Sequence, residues 1–166
     1  LAGLQKALDR FGTRSFKQLV QPAIDLAETG FEMPKGLANA IRSREKELRN
    51  DPASAKIYFP ADNVLRNPDL ARMLRRLASQ NSVRDFYEGG IARQIAAAFK
   101  NHNGFVTAKD LASFRAIEVQ PLSVQWKDVT ILTPPLTAGG LTILRMFSML
   151  KELPPDEHAM LEVMRV

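Results

Sequence analysis

The amino-acid sequence predicts an α+β fold, mainly helical, with one small β-hairpin. Three observations carry this reading. Apolar residues recur at helical spacing through residues 1–114, separated by helix-capping residues. Residues 115–133 switch to an extended, β-branched pattern. Residues 139–166 return to helix-forming sequence after Gly139-Gly140. No internal repeat or low-complexity segment interrupts the order.

In the first stretch, Phe16, Leu19, Val20, Ala23, Ile24 and Ala27 fall on one face of a 3.6-residue period. Ser15 and Gln18 have the spacing of a capping box. Pro22 lies inside the pattern, where it removes a backbone donor and crowds the preceding turn. This predicts a short helix to about Leu19 and a second one from about Pro22. Gly30 supplies the residue that ends it. Pro34 opens the next helix, with Leu37, Ala38, Ile41, Glu45 and Leu48 on one stripe, ending before Asp51-Pro52. Residues 52–67, rich in Pro, Ala, Asp and Asn, read as an irregular loop. Asn67 caps a helix from Pro68, whose stripe is Leu70, Met73, Leu74, Leu77 and Ala78. A helix from Gly90 to Asn101 is expected to bury Ile91, Ile95, Ala98 and Phe99 and to stop at Asn103-Gly104. Thr107 and Asp110 make a second capping box for a short helix with Leu111 and Phe114.

The extended pattern is Ile117, Val119, Leu122, Val124 and Trp126, with Pro121 marking an edge or a bulge. Lys127-Asp128 is the turn, and Val129–Thr133 is the second strand. Pro134-Pro135 ends the hairpin. The helix after Gly140 is broken only by Thr142, Arg145 and Ser148 before Lys151, so it needs cover on several sides. A last helix from about Asp156 shows no stop signal before Val166. The organisation is therefore helical over 1–114, a hairpin over 115–133 and helices over 139–166. It reads as part of a larger protein rather than a complete independent domain.

Composition excludes several function classes. The 166 residues contain no cysteine, which removes disulfide scaffolds, thiol nucleophiles and iron–sulfur sites from this chain. No apolar run approaches the roughly 20 residues of a membrane-spanning helix; the longest, Leu141–Leu150, contains Arg145. No basic segment precedes an apolar one, so no signal peptide is visible, and Leu1 is not a natural start. The net charge of +5 is uneven: residues 1–100 hold 17 Lys and Arg against 11 Asp and Glu, and residues 101–166 hold 6 against 7. The basic residues are interleaved with acids, and Arg72, Arg75 and Arg76 lie off their helix's apolar stripe. Solvated helix faces account for them better than a nucleic-acid site.

Catalytic templates are scarce. There is no GxSxG elbow, no GxxxxGK[ST] loop and no GxGxxG. His102 falls in a polar helix end, where a capping role is expected. His158 and Glu162 share a helix face at a spacing that suits two metal ligands, but a third ligand is not visible. Glu45/Glu47 and Asp156/Glu157 lack same-face spacing and give no acid–base pair. The stretch Pro134-Pro135-Leu136-Thr137-Ala138-Gly139-Gly140 makes unusual backbone demands. Either the following helix N-terminus holds an anion, or the glycines pack a strand against a buried helix. Residue chemistry alone favours packing.

The order of several segments resembles the gamma-glutamyltranspeptidase family, in the C-terminal half of its large subunit. Ala2-Gly3-Leu4 through Phe11-Gly12 is similar to the segment that follows the family's V-P-G stretch. Gln21-Pro22-Ala23-Ile24-Asp25-Leu26-Ala27-Glu28-Thr29-Gly30-Phe31 resembles P-A-I-x-L-A-x-x-G-F. Pro68-Asp69-Leu70-Ala71 resembles Q-P-D-L-A, and Phe86-Tyr87-Glu88-Gly89 with Ile91-Ala92 resembles F-Y-x-G-x-x-A. Gly104 through Thr107, then Asp110-Leu111-Ala112 and Phe114, resembles G-G-x-x-T-x-x-D-L-A-x-Y. Pro121-Leu122 leads to Pro134 through Gly140, similar to P-P-P-S-S-G-G, and His158 with Glu162 resembles H-x-x-x-E-A. Thr137-Ala138 replace two serines, Phe114 replaces a tyrosine, Val163 replaces an alanine, and the stretch before Pro68 is shorter than usual. These departures describe a divergent member whose substrate differs from glutathione in the extreme case.

The resemblance implies a fragment of an N-terminal-nucleophile hydrolase (αββα) fold. Such a precursor cleaves itself into large and small subunits. The new N-terminal threonine of the small subunit then attacks a gamma-glutamyl amide, with its own amine as base. Water or an amino acid or peptide accepts the glutamyl group. The nucleophile follows a T-T-H-like sequence absent here, and the substrate-binding arginine is expected before Leu1. No catalytic, substrate-binding or metal-ligating residue is therefore carried over; Thr107, Thr133, Thr137 and Thr142 are internal. No cofactor is implied. The implied partners are the remainder of the large subunit, the small catalytic subunit and a small-molecule gamma-glutamyl substrate, with no nucleic acid. The parent is expected to be periplasmic, secreted or membrane-anchored. Two alternatives stay open: a related acylase acting on another amide, of the cephalosporin-acylase kind, and a noncatalytic module that binds acidic partners through its basic helices.

Overall fold

A computed structural model describes residues 1–135, 139–154 and 156–165. The chain divides at Ala116 into two compact units, Leu1–Ala116 and Ile117–Val166. The first unit carries α1 (Ala2–Phe11), α2 (Phe16–Thr29), β1 (Phe31–Glu32), α3 (Lys35–Ser43), α4 (Glu45–Arg49), α5 (Pro52–Tyr58), β2 (Val64–Leu65), α6 (Pro68–Gln80), α7 (Arg84–Glu88), α8 (Gly90–Asn101) and α9 (Ala108–Ser113). The second carries β3 (Leu122–Trp126), β4 (Val129–Thr133), α10 (Gly140–Leu150) and α11 (Glu157–Met164). The mainly helical α+β class read from the sequence holds.

The core of the first unit is the α2–α6 pair. Ile24, Ala71, Leu74 and Ala78 are buried together, with Val20, Ala27 and Met73 packed against them. Burying a side chain such as Ile24 contributes about 1.5–3 kcal/mol. The two helices run antiparallel, because each end of one is tied to the opposite end of the other. The Asn67 N–H donates to the Ala27 carbonyl at 2.8 Å, and the Lys17 N–H donates to Asn81 Oδ1 at 3.0 Å. Asn81 is left-handed (φ 49°), so one residue both ends α6 and caps the first turn of α2. The Ser15–Gln18 capping box forms as its spacing predicts. At the far end Gly30 (φ 84°) lies against the Leu65 carbonyl, where an added Cβ would approach to 2.9 Å. Beyond it, β1 pairs antiparallel with β2, Phe31 opposite Leu65 and Glu32 opposite Val64.

Several expectations are corrected. Pro22 does not divide α2, which runs unbroken from Phe16 to Thr29. Pro22 and Gln18 both lie on the exposed face, so the carbonyl that loses its partner faces solvent while Ile24 stays buried. The single helix expected over 35–49 is two, broken at Arg44 (φ −119°, ψ 20°). Residues 52–58 are helical rather than loop: Asp51 caps them by accepting from the Ser54 N–H at 2.8 Å, and Pro52 takes the first helical position. In α8 the buried residues are Ile91 and Ala92 at its start; Ala98 and Phe99 are exposed, because its later turns extend past the core. The hairpin's paired strands begin at Leu122 rather than at 115, and α11 ends at Met164.

The helices α6, α7 and α8 meet at a buried carboxylate. Asp85, on α7, is 8% exposed. Its Oδ1 accepts from the Gly90 N–H at 2.8 Å, at the start of α8, and from Arg76 Nη2 at 3.2 Å, on α6. Its Oδ2 lies 2.6 Å from Arg76 Nε, out of line with the N–H, so that contact is electrostatic rather than a hydrogen bond. Gly89 is required here: a Cβ on it would overlap the Asp85 carboxylate. Next to it, Tyr87 stacks on Phe114 (5.5 Å between ring centroids) and accepts the Ala2 N–H at 3.0 Å, holding α1 and the end of α9 to α7.

Replacing Asp85 with alanine leaves the Gly90 N–H and the Arg76 guanidinium without their acceptor. The expected cost in denaturant unfolding is about 1–3 kcal/mol, moderated because the Arg76 side chain is half exposed; a change below a few tenths would contradict this. The helix caps have a pH signature. The Asp110 carboxyl is held below the usual aspartate range by the Thr107 hydroxyl and then the Thr107 N–H. The Asp51 carboxyl is held low by its bonds to Ser54. Their contribution is therefore complete above about pH 4 and fades as pH falls through the lower folded-state values. Thr107→Val removes the larger of the two causes at Asp110, so it should make the acid limb of the stability–pH profile shallower; an unchanged limb would refute the assignment.

Candidate functional site

The second unit is built around the hairpin and α10. All five residues of β3 pair with β4, from Leu122 opposite Thr133 to Trp126 opposite Val129, and the two-residue turn puts Lys127 at φ 50°. Trp126 meets Phe147 of α10 edge to face at 5.2 Å. The strand-to-helix segment from Thr133 to Gly140 is the stretch the sequence singled out. Gly140 is buried, and a Cβ on it would lie 2.5 Å from Thr133 Oγ1 and 3.0 Å from the Pro134 carbonyl oxygen. Gly139 is left-handed (φ 71°) and starts the helix, with its carbonyl accepting from the Ile143 N–H at 3.0 Å. Gly140 thus does what the packing reading requires, whereas Gly139 serves the turn: its left-handed backbone favours glycine, but a Cβ on it would meet no neighbour. Thr137 and Ala138 lie outside the described residues.

In α10 only Gly140 and Leu144 are buried. Leu141, Ile143 and Met149 are 44%, 45% and 38% exposed. The hairpin and α11 cover one side of this apolar helix and leave the others open. In α11, Ala159 and Val163 are buried, whereas Met160, Leu161 and Met164 are exposed.

The candidate side chains separate rather than converge. His102 ends α8, its Nδ1 2.9 Å from the Ala98 carbonyl oxygen, the capping role expected of it. His158 and Glu162 lie one turn apart on α11, and Glu162 accepts from Arg165 at 3.1 Å. Among the described residues no three His, Cys, Asp or Glu side chains gather as a metal site would need. Glu45 pairs with Arg49 at 2.7 Å and Glu47 with Arg44 at 3.0 Å. Asp156 caps α11 through the Ala159 N–H. Thr107 is a cap, Thr133 ends β4, and Thr142 is exposed on α10. The three clustered arginines are likewise engaged: Arg72 with Asp69, Arg75 with Glu28 and Arg76 with Asp85. The residue that sequence reasoning passed over is Asp85, a lone acid between Val83 and Phe86. Its signal was the Gly89-Gly90 pair that follows.

The segments that carry the family resemblance are packing and capping devices. Ile24 and Ala27 belong to the α2–α6 core and Gly30 turns beside β2. Ala71 is fully buried. Gly89 lies against the Asp85 carboxylate, Tyr87 stacks on Phe114, Thr107 and Asp110 form the second capping box, and Gly140 seats α10 against Thr133 at the end of β4.

A family model for gamma-glutamyltranspeptidase matches residues 1–166. The chain is 33% identical over 166 residues to a glutathione hydrolase proenzyme of Escherichia coli (strain K12), covering 95% of this chain and 28% of that protein. It is 29% identical over 158 residues to an acylase proenzyme of Pseudomonas sp. (strain SE83), covering 91% of this chain and 28% of that one. Among solved structures, Helicobacter pylori gamma-glutamyltranspeptidase superposes with a TM-score of 0.87 over 99% of this chain and 52% of its own, at 24% identity. At that identity the likeness speaks for the fold alone. The chain thus spans little more than a quarter of the curated proteins it resembles, and across its whole length it belongs to the gamma-glutamyltranspeptidase family.

Proposed function

We propose that this chain is the C-terminal part of the large subunit of an enzyme that cleaves gamma-glutamyl amides and passes the gamma-glutamyl group to water or to an amino acid or peptide. The observation that carries this reading is the family match along all 166 residues, with its motifs in order. In this reading the nucleophile is the N-terminal threonine of a separate small subunit, activated by its own amine. The chain supplies no catalytic or substrate-binding residue. It supplies scaffold: two units fixed by caps, close-packed glycines and a buried ion pair, with the open faces of α10 and α11 available to the remainder of the protein.

Gamma-glutamyl-p-nitroanilide tests this directly. The full-length protein should release p-nitroaniline, faster when a dipeptide acceptor is added, and the 166-residue chain by itself should release none. Turnover by the isolated chain, or none by the processed full-length protein, would reject the proposal. A second reading, an acylase for a different amide, draws on the 29% identity to the Pseudomonas acylase. A panel of amide donors separates the two, since strong preference for a gamma-glutamyl donor removes the acylase reading.

A further inference from the structure

An open cavity of about 440 Å³ lies between α3, α4 and the segment joining α5 to β2. Its size falls within the range of small-molecule sites, roughly 300–1,000 Å³. Three cationic side chains line it, Lys35, Arg42 and Arg49, and no carboxylate does. In this unit Arg44, Arg66, Arg72, Arg75, Arg76 and Arg84 each meet a carboxylate. Here the compensation is incomplete. Arg42 bonds the neutral Asn39 side chain at 2.6 Å, and Lys35 has no ion pair among the described residues. Arg49 is paired with Glu45 at 2.7 Å, and its guanidinium carbon lies 3.9 Å from the Phe59 ring centroid, over one face of that ring.

Apart from Asn63 the rest of the wall is apolar or aromatic. Tyr58 and Phe59 are half-buried, and Ile41 beneath is 7% exposed. The wall is anchored by backbone: the Phe59 N–H donates to the Ala55 carbonyl and the Met33 N–H to the Asn63 carbonyl, both at 3.1 Å. Exposed cations beside the half-buried Tyr58 and Phe59 can engage two things together, an anionic group through charge-assisted hydrogen bonds and a ring against the aromatic side chains. From this geometry we propose that the cavity binds a small organic anion carrying a flat ring, at a site that contributes nothing to gamma-glutamyl chemistry. The site stands whether or not the gamma-glutamyl reading does.

Calorimetric titration of the full-length protein with three probes tests it: phenyl phosphate, inorganic phosphate and phenol. Phenyl phosphate should saturate a single site, with phosphate binding several-fold more weakly and phenol not measurably. Arg42→Glu should weaken phenyl phosphate about tenfold or more, and Lys35→Glu should act in the same direction. Arg93→Glu, exposed on α8 and outside the cavity lining, should leave affinity within about twofold. Circular dichroism on each variant confirms the fold. Absence of saturable phenyl phosphate binding would overturn the proposal. So would phosphate binding as tightly as phenyl phosphate, or phenyl phosphate affinity unchanged by Arg42→Glu in a folded protein.

Discussion

Burying the Asp85 carboxylate constrains everything around it in the helical unit. A nearly enclosed carboxylate is costly unless its charge is met; here Oδ1 is hydrogen-bonded and Oδ2 faces the Arg76 guanidinium. Arg76 brings the charge from α6 and the Gly90 N–H brings a donor from the first turn of α8. That turn has unpaired backbone donors of its own, so a single group serves two needs. The geometry then excludes a side chain at Gly89 and brings the chain past Tyr87. Tyr87 in turn holds Phe114 and the start of α1. Three helices are fixed by one ion pair, and the same α6 carries its apolar face into the core with α2.

Most of this architecture was legible because the devices that build it are short in sequence. Capping boxes at Ser15–Gln18 and Thr107–Asp110, the Asn67 cap before Pro68 and the glycine at Gly30 are each decided within four residues. Their physics is local, and the structure reproduces them. The two-residue turn at Lys127-Asp128 is of the same kind. What escaped depends on partners distant in the chain. Nothing near Pro22 shows that its lost hydrogen bond falls on the open side of α2; that follows from packing against α6, some fifty residues on. Asp85 looks like any surface acid until Arg76 is folded beside it. The helix at Pro52–Tyr58 is a different miss, since Asp51, Pro52 and Ser54 already carried its start signal.

Of the candidate site the sequence showed only local roles: His102 closes the end of α8, Glu45 and Glu47 pair with Arg49 and Arg44, and Asp156 caps α11. The recognisable family segments explain this. They lie where the backbone comes close to a neighbour, as at Gly140 against the Thr133 side chain and the Pro134 carbonyl, or where a helix begins. Such segments identify the fold strongly while saying little about the reacting groups. The apolar surface left open on α10 and α11 is what the proposed function expects of a scaffold piece.

The central claim is that the chemistry is carried by a threonine outside these 166 residues. The most direct measurement is to react the full-length, processed protein with an isotopically labelled electrophilic glutamine analogue and locate the label by peptide mass mapping. The account predicts one label, on the N-terminal threonine of the small subunit, and none on any peptide from Leu1 to Val166. A label on a residue within this chain, at Thr107, Thr133 or any other, would contradict it.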